Sequence, residues 1–212
     1  MSALFTLFEI LGTIAFAVSG ALDGIRHRMD LFGVSMMGVV TATGGGVLRD
    51  LIIGEIPPRV FRNSRWALTA LICALLTFCL LRLFHRRAST PFSRMLEKFF
   101  LLSDTLGLAA FTVLGIESAG DGGKTLLLFV GVITGVGGGV LRDIFSGSVP
   151  SIFRRHIYAL ASAAGALAHI LLMEIMPREI SMVIGFALIV VIRLLAVHYK
   201  WNLPRIEDIE NI

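Results

Sequence analysis

The sequence predicts an all-α integral membrane protein, from its composition, the length of its apolar segments and an internal repeat. Of the 212 residues, 56% are hydrophobic and 16% are charged, and the mean hydropathy is +0.84. Soluble domains carry about 25% charged residues. A soluble chain of this size could not bury so much apolar surface, so the composition indicates a membrane environment.

Seven segments are long and apolar enough to be transmembrane helices, since a helix needs about 20 mostly apolar residues to cross the hydrocarbon core. They lie near 4–22, 31–48, 65–84, 99–116, 125–145, 157–174 and 179–199. The last residues, 201–212, are polar and acidic and are predicted to form a soluble tail. We therefore expect a single membrane domain over 1–212.

An internal repeat relates the two halves of the chain. Residues 38–50 and 131–143 are identical at ten of thirteen positions, at an offset of 93 residues. Weaker matches continue on both sides and delimit repeat one, about 4–84, and repeat two, about 99–174. Each repeat contains three spans, and an odd number makes the second copy enter the membrane from the opposite side. The seventh helix, about 179–199, has no counterpart.

The distribution of basic residues predicts the orientation. If the N-terminus is outside, eleven of the nineteen Lys and Arg residues fall in cytoplasmic segments and five on the other side. The densest cluster lies in the loop 85–98. Because cytoplasmic loops carry the excess of Lys and Arg, we expect the N-terminus outside and the C-terminus in the cytoplasm. Short basic clusters between apolar segments do not form a continuous nucleic-acid-binding face, so we expect no nucleic acid partner.

Two glycine triplets occupy equivalent places in the second and fifth spans. They are Gly44, Gly45 and Gly46, and Gly137, Gly138 and Gly139. Each glycine weakens a helix by about 1 kcal/mol relative to alanine, so the triplets predict breaks in both helices. Matching breaks in two inverted halves indicate a transport pathway. The alternative is close helix packing, because small residues let backbones approach each other.

Charged residues inside the membrane are costly and usually pair or face a water path. Seven lie at or inside the edges of the spans: Glu9, Arg49, Asp50, Asp104, Arg142, Asp143 and Arg193. Depth counted at about 1.5 Å per residue brings Glu9 near Arg49, and Asp104 near Arg142. Sequence neighbours do not face each other on a helix, so we expect no pair between Arg49 and Asp50. Snorkelling of the arginines to lipid headgroups is the alternative.

The remaining polar residues predict no enzyme, no cofactor and no metal site beyond transient potassium or sodium. The five histidines lack metal-ligand spacing. His169 lies within the sixth span, where a polar contact between helices is favoured over a proton relay.

The doubled motif, with seven spans and inverted three-helix repeats, resembles the TRIC family of trimeric intracellular cation channels. The pattern Gly-Gly-Gly-Val-Leu-Arg-Asp at 44–50 and 137–143 is similar to the prokaryotic branch, some of whose members have a glycine-transporter-like domain name. The resemblance covers roughly residues 4–200. It implies a homotrimer with one pore through each subunit, conducting potassium and sodium past the six triplet glycines.

The leading functional hypothesis is therefore a passive monovalent-cation channel in the inner or plasma membrane of a prokaryote, surrounded by membrane lipid. Carbonyls at the broken helices would replace part of the water around each ion. A secondary transporter of a small amino acid such as glycine is the alternative, because inverted repeats with broken helices also build transporters. A non-conducting scaffold or sensor is a third class. Single-channel currents distinguish a channel from the other two.

Overall fold

The computed structural model describes residues 3–85, 92–154 and 157–201. Within these ranges the chain forms nine helices: α1 Ala3–Arg26, α2 Leu31–Ile52, α3 Arg59–Arg62, α4 Arg65–His85, α5 Phe92–Ser118, α6 Lys124–Phe145, α7 Ser151–Arg154, α8 Tyr158–Leu172 and α9 Arg178–His198. The tail 202–212 and the central part of the basic loop, 86–91, lie outside the described residues.

Six of the described helices are long and apolar enough to cross a membrane, namely α1, α2, α4, α5, α6 and α9. The predicted span 157–174 corresponds to α8, which has only 15 residues. Several helices extend beyond the predicted spans. Helix α1 continues to Arg26, and α5 begins at Phe92 instead of residue 99. The chain is a multi-pass membrane protein, and the added ends of α1 and α5 carry charged residues, which water and headgroups can solvate.

The same pairs of helices pack together in both sequence repeats. Helix α1 contacts α2 and α4, just as α5 contacts α6 and α8. The repeats meet where α1 packs on α5 and α2 packs on α6, while α9 covers α5 and α8. Large apolar side chains such as Phe16, Leu108 and Leu114 are fully buried between these helices. On α4, by contrast, Leu68, Ile72, Leu76 and Leu80 are exposed at a spacing of four residues, which suits a face in contact with lipid.

Helices α2 and α6 end in the same way. Gly54 and Gly147 follow them with φ angles of +80° and +71°, in the left-handed region that glycine adopts without strain. The next residue then bonds back to the last turn, since Glu55 N donates to Asp50 O and Ser148 N to Asp143 O, both at 2.8 Å. This turn redirects the chain into the short helices α3 and α7.

Both glycine triplets lie inside uninterrupted helices, so the predicted breaks in α2 and α6 are wrong. The physical reason is the packing of the two helices. A Cβ atom at Gly45 would overlap the backbone oxygen of Thr134, and one at Gly138 would overlap that of Thr41. Absent side chains let the two backbones touch, and these contacts offset the low helix propensity of glycine. Close packing, the alternative that the sequence left open, describes the triplets.

Candidate functional site

Contacts between α2 and α6 occur in reciprocal pairs at sequence-equivalent positions. Gly44 lies under the side chain of Leu141, and Gly137 lies under that of Leu48. The crossing therefore has local two-fold character, with Gly45 and Gly138 at its centre. Two apolar leucines flank the centre, and no ionisable side chain lies between them in these contacts.

Each of these helices carries an Arg–Asp pair in its last turn. Arg49 donates from Nε and Nη2 to Asp50 Oδ1 at 2.9 and 2.8 Å. Arg142 donates from the same atoms to Asp143 Oδ1 at 3.0 and 2.8 Å. The prediction that Arg49 would not pair with Asp50 is wrong. In the last turn of the helix, the long arginine side chain reaches the carboxylate of the next residue.

The second carboxylate oxygen of each aspartate orients the pair. Asp50 Oδ2 accepts from the backbone N–H of Arg59 at 2.8 Å, and Asp143 Oδ2 accepts from that of Ser151 at 2.6 Å. These amides open α3 and α7, where a helix has no internal acceptor for them. The aspartates thus join the end of a long helix to the start of a short one. Nothing in the sequence indicated the short helices, which are only four residues long.

Arg142 is enclosed on all sides and is 0% exposed. Its Nη1 donates to Asp104 Oδ1 at 2.5 Å and to Ser19 Oγ at 2.7 Å. The predicted pair of Asp104 and Arg142 is confirmed. The ring of Phe100 lies 4.7 Å from the guanidinium carbon and closes the remaining face.

Asp104 also contacts residues that the sequence analysis did not assign to this cluster. Tyr158 donates its hydroxyl to Asp104 Oδ1 at 3.3 Å, and Arg193 Nη2 lies 3.9 Å from Oδ2. The guanidinium of Arg193 also stacks over the Tyr158 ring at 4.6 Å. The repeat contained one signal for the role of Tyr158, since this residue aligns with the aromatic residue Trp66 in repeat one. Arg193 has no equivalent, because α9 lies outside the repeat.

Arg49 faces a cavity instead of a carboxylate from another helix. This Arg49 cavity has a volume of about 200 Å³. Its lining includes Glu9, Thr13, Thr43, Gly46, Arg49 and Asp50. Among the described residues no ion pair joins Glu9 to Arg49, so the predicted pairing of these two is wrong. Glu9 is half-buried and shares the cavity with Arg49 without reaching it.

A second cavity, of about 240 Å³, reaches Asp104 from the other end of the bundle. Arg26, Glu97, Phe100, Asp104, Ser151 and Arg193 line this Asp104 cavity. Glu9 and Arg26 belong to different cavities and are separated by 17 residues of α1, or about 26 Å at about 1.5 Å per residue. Each cavity contains one carboxylate at an equivalent place in the repeat, Glu9 in the Arg49 cavity and Asp104 in the Asp104 cavity.

Of the six triplet glycines, Gly46 and Gly139 lie beside the two arginine sites. Gly46 lines the Arg49 cavity, and a Cβ there would meet only Arg49 Nη2, at 3.7 Å. A Cβ at Gly139 would lie 2.8 Å from the Tyr158 hydroxyl and 3.7 Å from Asp104 Oδ1. The other four glycines pack α2 against α6.

Comparison with known proteins assigns this arrangement to a family. The family described as Glycine transporter matches residues 6–82 and 101–174. A solved structure reported for conductance through TRIC cation channels is 34% identical, with a TM-score of 0.81, over 96% of this chain and 98% of that one. The chain belongs to the prokaryotic TRIC family. The expected resemblance is thus confirmed over nearly the whole chain.

Other similar proteins also align with most of the chain. The Rhodobacter sphaeroides orthologue, a TRIC trimeric intracellular cation channel, is 32% identical with a TM-score of 0.83, over 94% of this chain and all of that one. The inner membrane protein YadS of Escherichia coli K12 is 36% identical over 96% of both chains. A membrane protein of Deinococcus radiodurans is 43% identical over 74% of this chain and 71% of its own length.

Proposed function

We propose that this protein is a passive channel for potassium and sodium, working as a homotrimer with one pore through each subunit. The solved relatives are described as cation channels, and one of them as trimeric. They support a channel in preference to an enzyme. The glycine transporter alternative rests on the family description, and no contact in the structure favours it.

The observation that carries the proposal is the pair of cavities entering the bundle from opposite ends, one with Glu9 and one with Asp104. Both cavities also contain arginines, namely Arg49, Arg59 and Arg65 in the first and Arg26 and Arg193 in the second. Within that mixed lining, Glu9 and, once released by Arg142, Asp104 are the groups that raise the local concentration of cations between low-dielectric walls. Rings and clusters of Asp and Glu select cations over anions in this way. Carbonyls freed by broken helices do not supply the ion contacts, because both triplets are helical. Carboxylates, threonine hydroxyls and retained water take that role.

The two cavities differ at their inner ends, and in the Asp104 cavity this difference gives the channel a closed gate. Arg142 stands where the Asp104 cavity ends, held by Asp104, Asp143 and Ser19. A cation moving between the cavities meets this fixed positive charge. Conduction requires the guanidinium to leave Asp104, which then faces the ion path. At the equivalent place in the other half, Arg49 leaves its cavity open.

The proposed arrangement in the membrane has seven spans, two inverted repeats and the N-terminus outside. Helix α8 completes seven spans, and the reciprocal contacts of α2 and α6 support two repeats of opposite orientation. With the N-terminus outside, the Arg49 cavity opens outward and the Asp104 cavity opens to the cytoplasm of a bacterium. A cysteine placed at Thr90, in a protein lacking Cys73 and Cys79, is expected to react with an impermeant reagent only from inside. Labelling at that position from outside intact cells would show that the protein has the opposite orientation, with the N-terminus in the cytoplasm.

Single-channel recording from purified protein in planar bilayers tests the function. We expect discrete potassium and sodium currents without chloride current. Gly46→Leu fills the Arg49 cavity and is expected to reduce the unitary current. The matched control is Leu76→Phe, which also enlarges a side chain but lies on the exposed face of α4 and leaves the current unchanged. Saturable glycine uptake without discrete currents would establish the transporter alternative.

A further inference from the structure

A second polar cluster lies between α5, α8 and α9 and contains none of the residues that pair in the two arginine sites. His169 Nδ1 lies 3.0 Å from Ser181 Oγ, and His169 Nε2 lies 3.0 Å from Glu117 Oε1. His169 and Ser181 are 0% exposed, and the Glu117 side chain is 12% exposed. The polar helix contact predicted for His169 is confirmed, and it joins the three helices α5, α8 and α9.

The available protons allow two complete hydrogen-bonding arrangements. Ser181 has one hydroxyl proton and two acceptors within reach, His169 Nδ1 and the backbone oxygen of Arg178 at 2.9 Å. With a neutral imidazole, Ser181 donates to Nδ1 and Nε2–H donates to the Glu117 carboxylate. With a charged imidazole, both ring nitrogens donate, and the Ser181 hydroxyl rotates to the Arg178 oxygen. No polar atom of His169 or Ser181 lacks a partner in either state.

We propose that His169 is a proton-binding site in which the Ser181 hydroxyl acts as a rotor and Glu117 as the counter-charge. Protonation changes the cluster from one net negative charge to none and forms a buried ion pair between α5 and α8. It also adds a hydrogen bond in the first turn of α9. Burying a group without a partner is costly, and the rotor avoids that cost in both states. The cluster therefore binds a proton with little rearrangement.

A cavity of about 390 Å³ provides access for the proton. It is lined by Phe5, Arg59, Glu117, Ser118, Arg178 and Glu179, with Met182 beside them. The charged groups facing the cluster in the described residues are therefore Arg59 from α3 and Arg178 and Glu179 from α9. Lys124 of α6 and Glu174, just after α8, do not line this cavity and form an exposed pair of their own at 2.7 Å. Glu117 is the carboxylate in direct contact with the imidazole.

Nuclear magnetic resonance of protein labelled with ¹⁵N-histidine tests the proposal without any conductance measurement. Histidine is the side chain whose charge ordinarily changes between pH 5 and 8, and its ring ¹⁵N shifts report that charge. We expect the His169 signals, assigned by their loss in His169→Gln, to change from the charged to the neutral form as the pH is raised. In Glu117→Gln the proton should bind at least about tenfold more weakly, because an opposite charge favours the charged imidazole.

Thermal unfolding in detergent gives an independent measurement. The stability difference between the native protein and His169→Gln should change between pH 5 and pH 8, because the cluster exchanges a neutral hydrogen bond for an ion pair when it binds the proton. Ser162→Ala is the matched control. Ser162 is fully buried on α8 and bonds Thr112 of α5 at 2.8 Å, with no ionisable partner, so its effect should not change with pH. Ring signals identical at pH 5 and 8, or equal proton binding in Glu117→Gln, would overturn the proposal.

Discussion

The Arg49 and Arg142 sites have the same sequence motif and the same local geometry, but only one of them is closed. Both arginines donate twice to the following aspartate, at nearly equal distances. Arg142 then finds Asp104 and Ser19, whereas Arg49 faces a cavity of about 200 Å³. A duplicated motif therefore reproduces the helix end, and the surrounding helices decide whether the end is sealed.

The surrounding residues explain the difference. Asp104 stands where the other half has Glu9, and Ser19 stands where the other half has Leu114. Leu114 offers the arginine no hydrogen-bond acceptor. The contact of Arg193 with Asp104 comes from α9, which has no counterpart in the first half. Divergence at a few positions and one added helix have made two equivalent sites into an open one and a closed one.

The largest expected effect is a contrast between the two carboxylates. Asp104→Asn leaves Arg142 buried with less counter-charge, and breaking a buried pair costs about 3–5 kcal/mol. Glu9→Gln removes a charge that forms no ion pair among the described residues, so the free energy of unfolding should change by about 0.5 kcal/mol or less. Thermal or denaturant unfolding of both variants in the same detergent measures the contrast. Equal losses would mean that Glu9 is as tightly engaged as Asp104.

A smaller effect is expected at the centre of the crossing. Gly45→Ala and Gly138→Ala each place a methyl group against backbone oxygen, which cannot rotate away. Overpacking of this kind costs about 1–3 kcal/mol and should separate α2 from α6. Both variants should lose stability to a similar extent, because the contacts are reciprocal. Unfolding measurements decide this, and a stable Gly45→Ala protein would contradict the close packing.

The smallest effect separates the two sites again. Gly46→Ala meets only the end of Arg49 at 3.7 Å, so it should keep or raise stability through the better helix propensity of alanine, by up to about 1 kcal/mol. Gly139→Ala approaches the Tyr158 hydroxyl to 2.8 Å, where Tyr158 bonds Asp104, and should lower stability by about 1 kcal/mol. Melting temperatures of the pair are the measurement. Identical shifts would indicate that the closed site is as loosely packed as the open one.

The fold was predictable where the signal is long and repeated. Apolar segments and the offset repeat predicted the long helices and which of them correspond. The short helices α3 and α7 were missed, because four residues show no helical period. The ends of α1 and α5 were placed inside their true limits, because hydropathy follows the hydrocarbon core whereas a helix continues into the interface.

By itself, the sequence determined the membrane class, the equivalence of the two halves and the pair of Asp104 with Arg142, because apolar content, repeat offset and helical rise are one-dimensional quantities. Only the tertiary structure decided that the glycine triplets stay helical, that Arg49 bonds Asp50 and not Glu9, and that one arginine site is closed. Helix propensity is a local preference, and contacts between α2 and α6 override it. Ion pairing depends on where a long side chain can reach, which depth along a straight helix does not describe.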